Sequence, residues 1–445
     1  MRDRFSSNAL GRMGRRGFLK TLAGLGISAS TASALTQSAV AEAVDDPRRE
    51  VPRIRAFRHT NHEEVIEEGA KPEREPDVYT IPRWRWARIE AAHDARRRVE
   101  RQLDGKYPVW VTTDNNGEKK IVVEQHDDGN LRSADVRALD KQVPASVNGV
   151  AGHKSRNGRR SRFAQEREIP VDIKRPEVNR AQEEIQNVSK HDINQLSNSG
   201  PYEIEAAGEY YVSDYDPVPG GAASQMIATD SNYVYHSYGT TGTPVFHDGS
   251  LKMLSVAHLW NHPNPDPNPE GAWIDETIDA QNIGYQQITQ PTDFSQGEAV
   301  FDRDDNNGLV TNVLDAGVMN LEEVGDVAYD FAAEGGVYRG KSIVGGVSQQ
   351  RINDLEDMGT ALSKQGATTG LDPCHIIAVN SDSFQIDQIL GYSDGILGGD
   401  SGGPITEPFG SDTVDVVGIV QDGNPGYPAH VVGVPSIEDE LGVIV

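Results

Sequence analysis

Along residues 208–445, short runs rich in Val, Ile and Tyr alternate with turns of Gly, Asp, Asn and Pro. The runs fall at 209–213, 232–238, 243–247, 251–257, 309–320, 343–348, 375–380, 383–390, 414–421 and 431–434. Many short strands at such spacing predict an all-β sandwich or barrel, and a stretch of this length suits two packed barrels. Only 435–443 interrupts the pattern, with a helical turn or two. The preceding half reads differently. From Arg83 to Leu103 the apolar positions Trp84, Ile89, Ala92, Ala95, Val99 and Leu103 recur at helical spacing opposite an Arg-rich face, which predicts an amphipathic helix. Tyr107–Thr113 and Ile121–Val123 flank Asp114-Asn-Asn-Gly117 and predict a hairpin. Residues 44–80 are charged and unpatterned and read as a tether. The stretch from about 151 reads as a linker rich in Arg, Asn, Gln and Ser. The divisions are therefore 1–43, an α+β unit at 44–150, a flexible linker at 151–207, and 208–445.

Charge sharpens this division. The net charge is −26, but residues 201–445 carry 6 Lys and Arg against 38 Asp and Glu, whereas residues 1–200 carry 36 against 30. So acidic a C-terminal half does not bind nucleic acid. Acidic excess with few lysines fits a protein of very salty surroundings, where screening removes self-repulsion; an ordinary acidic surface is the alternative. The single cysteine, Cys374, excludes an intramolecular disulfide and leaves no zinc or iron–sulfur framework.

Residues 14–20 read Gly-Arg-Arg-Gly-Phe-Leu-Lys, ahead of a mildly apolar run to Leu35 and small-residue cleavage positions at Ala39-Val40-Ala41 and Ala41-Glu42-Ala43. The arrangement resembles a twin-arginine export signal, with Gly14 in place of the usual Ser or Thr. It implies a secreted, extracellular protein with no membrane span once residues 1–43 are removed. A Sec signal or a membrane anchor is the competing reading.

The chemistry is concentrated in Gly399-Asp400-Ser401-Gly402-Gly403-Pro404. Flanking glycines let the backbone of a serine approach a substrate carbonyl, and the amides of Gly399 and Ser401 can then point at one oxyanion. A serine nucleophile needs a base and an orienting group. Ser255-Val-Ala-His258 places a histidine at a strand end, and Asp315 heads the apolar run Ala-Gly-Val-Met. The chain order His258, Asp315, Ser401 is that of the triad in chymotrypsin-type proteases.

Residues 230–445 resemble the trypsin/chymotrypsin superfamily of serine proteases, in its prokaryotic, streptogrisin-like form and with a haloarchaeal cast. Gln365-Gly-Ala-Thr-Thr-Gly370, Val416-Val-Gly-Ile-Val420 and the closing segment Ile437–Val443 strengthen the resemblance. It implies a chymotrypsin-like double β-barrel made as a preproenzyme, and a secreted serine endopeptidase that works through an acyl-enzyme. It implies protein or peptide substrates, no cofactor and no metal. Residues 44–150 become a pro-region acting as inhibitor or chaperone. Asp400 takes a supporting role for the oxyanion loop. Gly395, Ile396, Val420 and Gly423 are expected at the substrate pocket; with no carboxylate at its base, that pocket favours apolar side chains over Arg or Lys. An inactive protease-fold scaffold and a serine esterase are the alternatives. Leu259 and Leu397 stand where many relatives carry cysteines, and Gln421 stands where they carry a serine. Asp302–Gly308 looks like a calcium loop, but its glycine is one place late and Val313 occupies the place of the bidentate glutamate.

Overall fold

The computed structural model describes residues 49–114, 116–125, 139–152, 165–175, 218–229, 234–247, 249–256, 286–287, 316–319, 327–332, 341–388, 396, 399–422 and 428–445. The expected export signal at 1–43, most of the expected linker, the run at 209–213 and the rejected calcium loop lie outside them.

The N-terminal unit contains β1 (Glu50–His59), α1 (His62–Glu68), β2 (Arg74–Pro82), α2 (Arg83–Gln102), β3 (Val109–Thr113), β4 (Lys119–Glu124), β5 (Ser146–Ala151) and β6 (Gln165–Lys174). The expected helix is α2. Its buried side includes Trp86, Ile89, Ala92, Ala95 and Val99, while Trp84 is 54% exposed, so the apolar stripe starts two residues later than the spacing suggested. The expected hairpin is β3–β4, with Val111 opposite Ile121 and Gly117 supplying a φ of 79°.

Two expectations for this half are corrected. The stretch read as a tether holds β1, α1 and β2, and the stretch read as a linker holds β6. The charges of β1 hid its alternation, because Arg53 and Arg58 are partly or fully buried against carboxylates of the other half rather than solvated. In β6 the inward residues Ile169 and Val171 are too few to outweigh the surrounding Glu and Arg.

The second half contains β7 (Val218–Gly220), β8 (Ala223–Thr229), β9 (Val234–Thr240), β10 (Pro244–His247), β11 (Ser250–Ser255), β12 (Gln286–Gln287), β13 (Gly317–Met319), β14 (Val327–Phe331) and β15 (Ser342–Val347). After these come α3 (Gln349–Met358), β16 (Leu362–Gly366), β17 (Gly370–Val379), β18 (Ser383–Gln388), β19 (Pro404–Pro408), β20 (Thr413–Asp422), β21 (Ala429–Gly433) and α4 (Val434–Leu441). Helix α3 was not foreseen, since its sequence is polar. Its start is fixed by Ser348, whose Oγ accepts from the Arg351 amide at 3.1 Å, and its end by Gly359 at φ 57°. The expected terminal helix is α4.

The fold of this half is β, with a closed barrel. β16 pairs with β17, β17 with β18, β18 with β21, β21 with β20, β20 with β19 and β19 with β16, every pair antiparallel. Six strands thus close without an edge around Leu362, Cys374, Ile376, Phe384, Ile405, Val417, Val420 and Val431. The sheets β10–β11–β13 and β12–β8–β9 precede this barrel, and a second cluster of Val245, Met253, Leu254, Tyr329, Ile343 and Val416 lies beneath β11 and β20.

The two halves share one sheet. β1 pairs antiparallel with β15 (Phe57 opposite Gly346), and β3 pairs antiparallel with β17 (Val379 opposite Val111). The tryptophans Trp84, Trp86 and Trp110 contribute little to this join. Trp86 serves the core of its own unit, Trp84 faces solvent, and only Trp110 crosses, stacking on His430 at 5.8 Å. Ion pairs also join the halves.

Candidate active site

Ser401 lies half-buried in the tight turn that leads into β19. Two glycines shape that turn. Gly399 has φ 97°, and a Cβ there would sit 2.2 Å from the Thr368 hydroxyl; Gly402 has φ 90°, and a Cβ there would sit 2.1 Å from the Thr240 carbonyl oxygen. Neither position accepts another residue without a shift of the backbone.

Asp400, fully buried, holds the turn from behind. Its Oδ1 accepts from the amides of Thr368 and Thr369, each at 3.0 Å. Its Oδ2 accepts from the Thr369 hydroxyl at 2.6 Å and from Lys364 Nζ at 3.3 Å. Among these contacts is a partner, Lys364, that the motif alone did not supply. Lys364 is only 1% exposed along its side chain and also reaches Asp372 and the Thr369 hydroxyl. The Thr368-Thr369 pair belongs to the Gln365–Gly370 segment singled out in the sequence.

Thr240, at the end of β9, ties the nucleophile turn to the other sheets. Its amide donates to the Ser401 carbonyl at 2.8 Å and its hydroxyl donates to the Gly399 carbonyl at 2.8 Å. The same hydroxyl accepts from the Ala367 amide at 2.9 Å, while its carbonyl accepts from the Ser255 hydroxyl at 3.0 Å. Sequence reasoning missed Thr240 because nothing local marks it; its partners come from three distant segments.

Ser255 connects this cluster to the expected base. It ends β11, opposite Gly317 at the start of β13. His258 follows shortly after Ser255 and Asp315 comes just before Ala316, but both lie outside the described residues, as do Gly395 and Gly423. The described strand ends that lead to His258 and away from Asp315 are neighbours, and Ser255 is also adjacent to the Ser401 turn. Ile396 (4% exposed) and Val420 (fully buried) come together in the barrel's apolar cluster. As placed, they pack the barrel core and offer little surface as pocket walls, because successive residues of β20 are buried on both faces.

Two titratable groups near these strands are perturbed. Burial pulls the His430 imidazole toward its neutral form, but a hydrogen bond with Asp422 and the charges of Asp422 and Glu124 outweigh it, and the net shift is upward. The Cys374 thiol is pushed up to about 12, chiefly by burial.

No protein-family model and no curated protein sequence matches the chain. Solved structures are similar at low levels. Protease A of Thermobifida fusca aligns with 14% identity and a TM-score of 0.29, over 52% of this chain and 98% of that one. A serine protease specific for glutamic acid, described as using a histidine triad in substrate binding, aligns with 16% identity and a TM-score of 0.27, over 51% and 100%. Likeness of this degree adds nothing to the chemistry, which rests on the turn around Ser401.

Proposed function

We propose that the chain is a serine endopeptidase exported by the twin-arginine route. The observation that carries this reading is the construction of the Ser401 turn. Left-handed glycines flank a half-exposed serine, a buried carboxylate anchors the turn, and Thr240 binds it to the strand end that precedes His258. A serviceable nucleophile must be held rigidly while its oxygen stays accessible, and a turn strapped by three segments meets both needs.

In the proposed reaction, Ser401 Oγ attacks the scissile carbonyl as His258 takes its proton, and Asp315 orients the imidazole and stabilises its charged form. The amides of Gly399 and Ser401 hold the oxyanion. The C–N bond breaks as His258 returns the proton to the leaving amine. Water then attacks the acyl-enzyme by the same relay and frees Ser401. Asp400 takes no part in proton transfer; surrounded by Lys364, Thr369 and two amides, it fixes the turn. The pocket read at Gly395 and Gly423 has no carboxylate at its base and favours apolar side chains over Arg or Lys.

Labelling with a fluorophosphonate at molar salt, compared with Ser401→Ala, tests the reading. Stoichiometric label that disappears in the variant is expected, and absence of Ser401-dependent label in folded protein overturns it. Matched ester and peptide substrates then separate an esterase from a peptidase. With 38 acidic and 6 basic residues after position 200, dilution from molar to about 0.1 M salt lengthens screening from about 3 Å to about 10 Å and should lower stability.

A further inference from the structure

The catalytic half holds only six Lys and Arg; of these, Arg351 pairs with Glu407, and Lys364 with Asp400 and Asp372. Five other carboxylates of this half are buried or largely buried, and among the described residues every cation paired with them comes from the N-terminal unit. Arg53, 2% exposed, grips the fully buried Asp354 through two hydrogen bonds, at 2.8 and 3.1 Å. Lys119 pairs with Glu356 and lies 3.1 Å from Asp357, with no group in this trio more than 1% exposed. Arg88 binds both oxygens of Asp357, at 2.7 and 2.8 Å. Arg58 binds Asp415 at 2.7 Å, and Arg74 pairs with Glu438.

Two features besides charge join the halves. Val65 of α1 is fully buried within the cluster formed by Val245, Tyr329, Val434 and Val445 of the other half. Gly345 in β15 lies so close to β1 that a Cβ there would sit 2.1 Å from the Phe57 carbonyl oxygen. The glycine meets this obstacle only while β1 is present.

We infer that residues 49–175 are a lasting structural partner of the catalytic half, supplying its missing countercharge, rather than a piece discarded on maturation. A detachable pro-piece leaves behind a surface that water can satisfy. Here its removal would leave Asp354, Glu356 and Asp357 together on α3, where Arg351 is already paired with Glu407. Like charges one turn apart on a helix repel, and the same removal opens the apolar cluster around Val65 and the backbone of β15 and β17 that β1 and β3 pair. Molar salt screens that repulsion but restores neither the lost strand pairings nor the buried apolar contacts. Cutting between the halves, within 176–216, is compatible with the inference; separation is not.

The test is the composition of the folded, mature species. The full chain, expressed with its signal and recovered from the medium at about 3 M salt, is resolved by native size exclusion and peptide mapping. Peptides from 49–175 and from 341–445 in equal amounts in one peak are expected, whether the chain is intact or nicked. A folded species containing 341–445 without 49–175 overturns the inference. This readout needs no activity, so it is independent of the Ser401 labelling experiment.

Arg53→Met supplies a second measurement. It should raise the unfolded-to-folded ratio by roughly a hundredfold or more at both low and 3 M salt, with most of the loss recovered when Asp354→Leu is added. A loss that vanishes at 3 M salt, or one that Asp354→Leu leaves unchanged, counts against a buried, salt-independent join.

Discussion

Replacing Lys364 by Met removes one buried charge from beneath the Ser401 turn and keeps most of the side-chain volume. Two carboxylates lose their ammonium partner: Asp400, fully buried at 3.3 Å, and Asp372, nearly buried at 3.5 Å. Asp400 keeps two amides and one hydroxyl, which satisfy its oxygens but do not neutralise its charge. Breaking a buried pair from one side costs about 3–5 kcal/mol. For a unit of this size each kcal/mol moves the melting temperature by about 2–4 °C, so a fall of about 6–20 °C is expected. Because both groups are out of solvent, the fall should be the same at about 3 M salt, where the Debye length is below about 3 Å. Differential scanning calorimetry at two salt concentrations gives the stability. The fluorophosphonate labelling rate, measured below the variant's melting range, separates positioning of the turn from global folding. It should fall by about tenfold or more, since the donors aimed at an oxyanion lose their anchor. Lys364→Arg should recover part of both losses. A stability change under about 1 kcal/mol, the size typical of an exposed pair, together with an unchanged labelling rate, would refute the reasoning.

Further outcomes follow from neighbouring features. Gly402→Ala forces a Cβ against the Thr240 carbonyl at φ 90° and should abolish labelling while lowering stability by about 2 kcal/mol or more, as read by calorimetry. His93 is held neutral by burial and by the nearby charges of Arg96 and Lys119, so its folded value lies well below the ordinary one. The unfolded chain therefore takes up the proton first. Stability should fall as pH drops below about 6.5, at up to about 1.4 kcal/mol per pH unit, and His93→Leu should flatten that limb in urea titrations. His430 works in the opposite sense. Its raised value contributes stability that is complete below about 6.5 and is lost as pH rises through the folded value, a step that Asp422→Asn should remove from the same titrations. Cys374, buried with its thiol pushed up to about 12, should resist a thiol reagent at about pH 8 until the protein is unfolded.

The sequence carried the serine turn most clearly, because its requirements are local. Gly399 and Gly402 are marked by the left-handed backbone that the turn itself requires, at φ 97° and 90°. It carried the strands of the closed barrel nearly as well where apolar residues run together, as in β20, and poorly where they do not, as in β16 and β19. What it concealed was whatever depends on partners far along the chain. The charges of β1 suggest solvent, yet Arg53 meets Asp354 about three hundred residues later. Helix α3 looks polar for the complementary reason: its acidic residues are buried against Arg53, Arg88 and Lys119. Lys364 and Thr240 fall into the same class, each ordinary in its own segment and defined only by what the fold brings to it.

The continuous sheet has a consequence for aggregation. Its ordered path begins at β2 and ends at β5, so both ends of that path belong to the N-terminal unit, while a side branch through β14 ends at β7. β2 is poorly suited to templating another chain. It carries Pro76 and Pro82, which cannot donate to an incoming strand, and it alternates Glu75 and Asp77 with them. Inside that border, β15 and β17 have their flanks covered by β1 and β3. If the unit comes loose, those flanks present unpaired backbone at Gly345–Val347 of β15 and at Ala378 and Val379 of β17, without proline guards at those positions. Self-association through strand addition should then begin at β15 and β17, and damage to the N-terminal unit should appear as precipitation before it appears as slower catalysis.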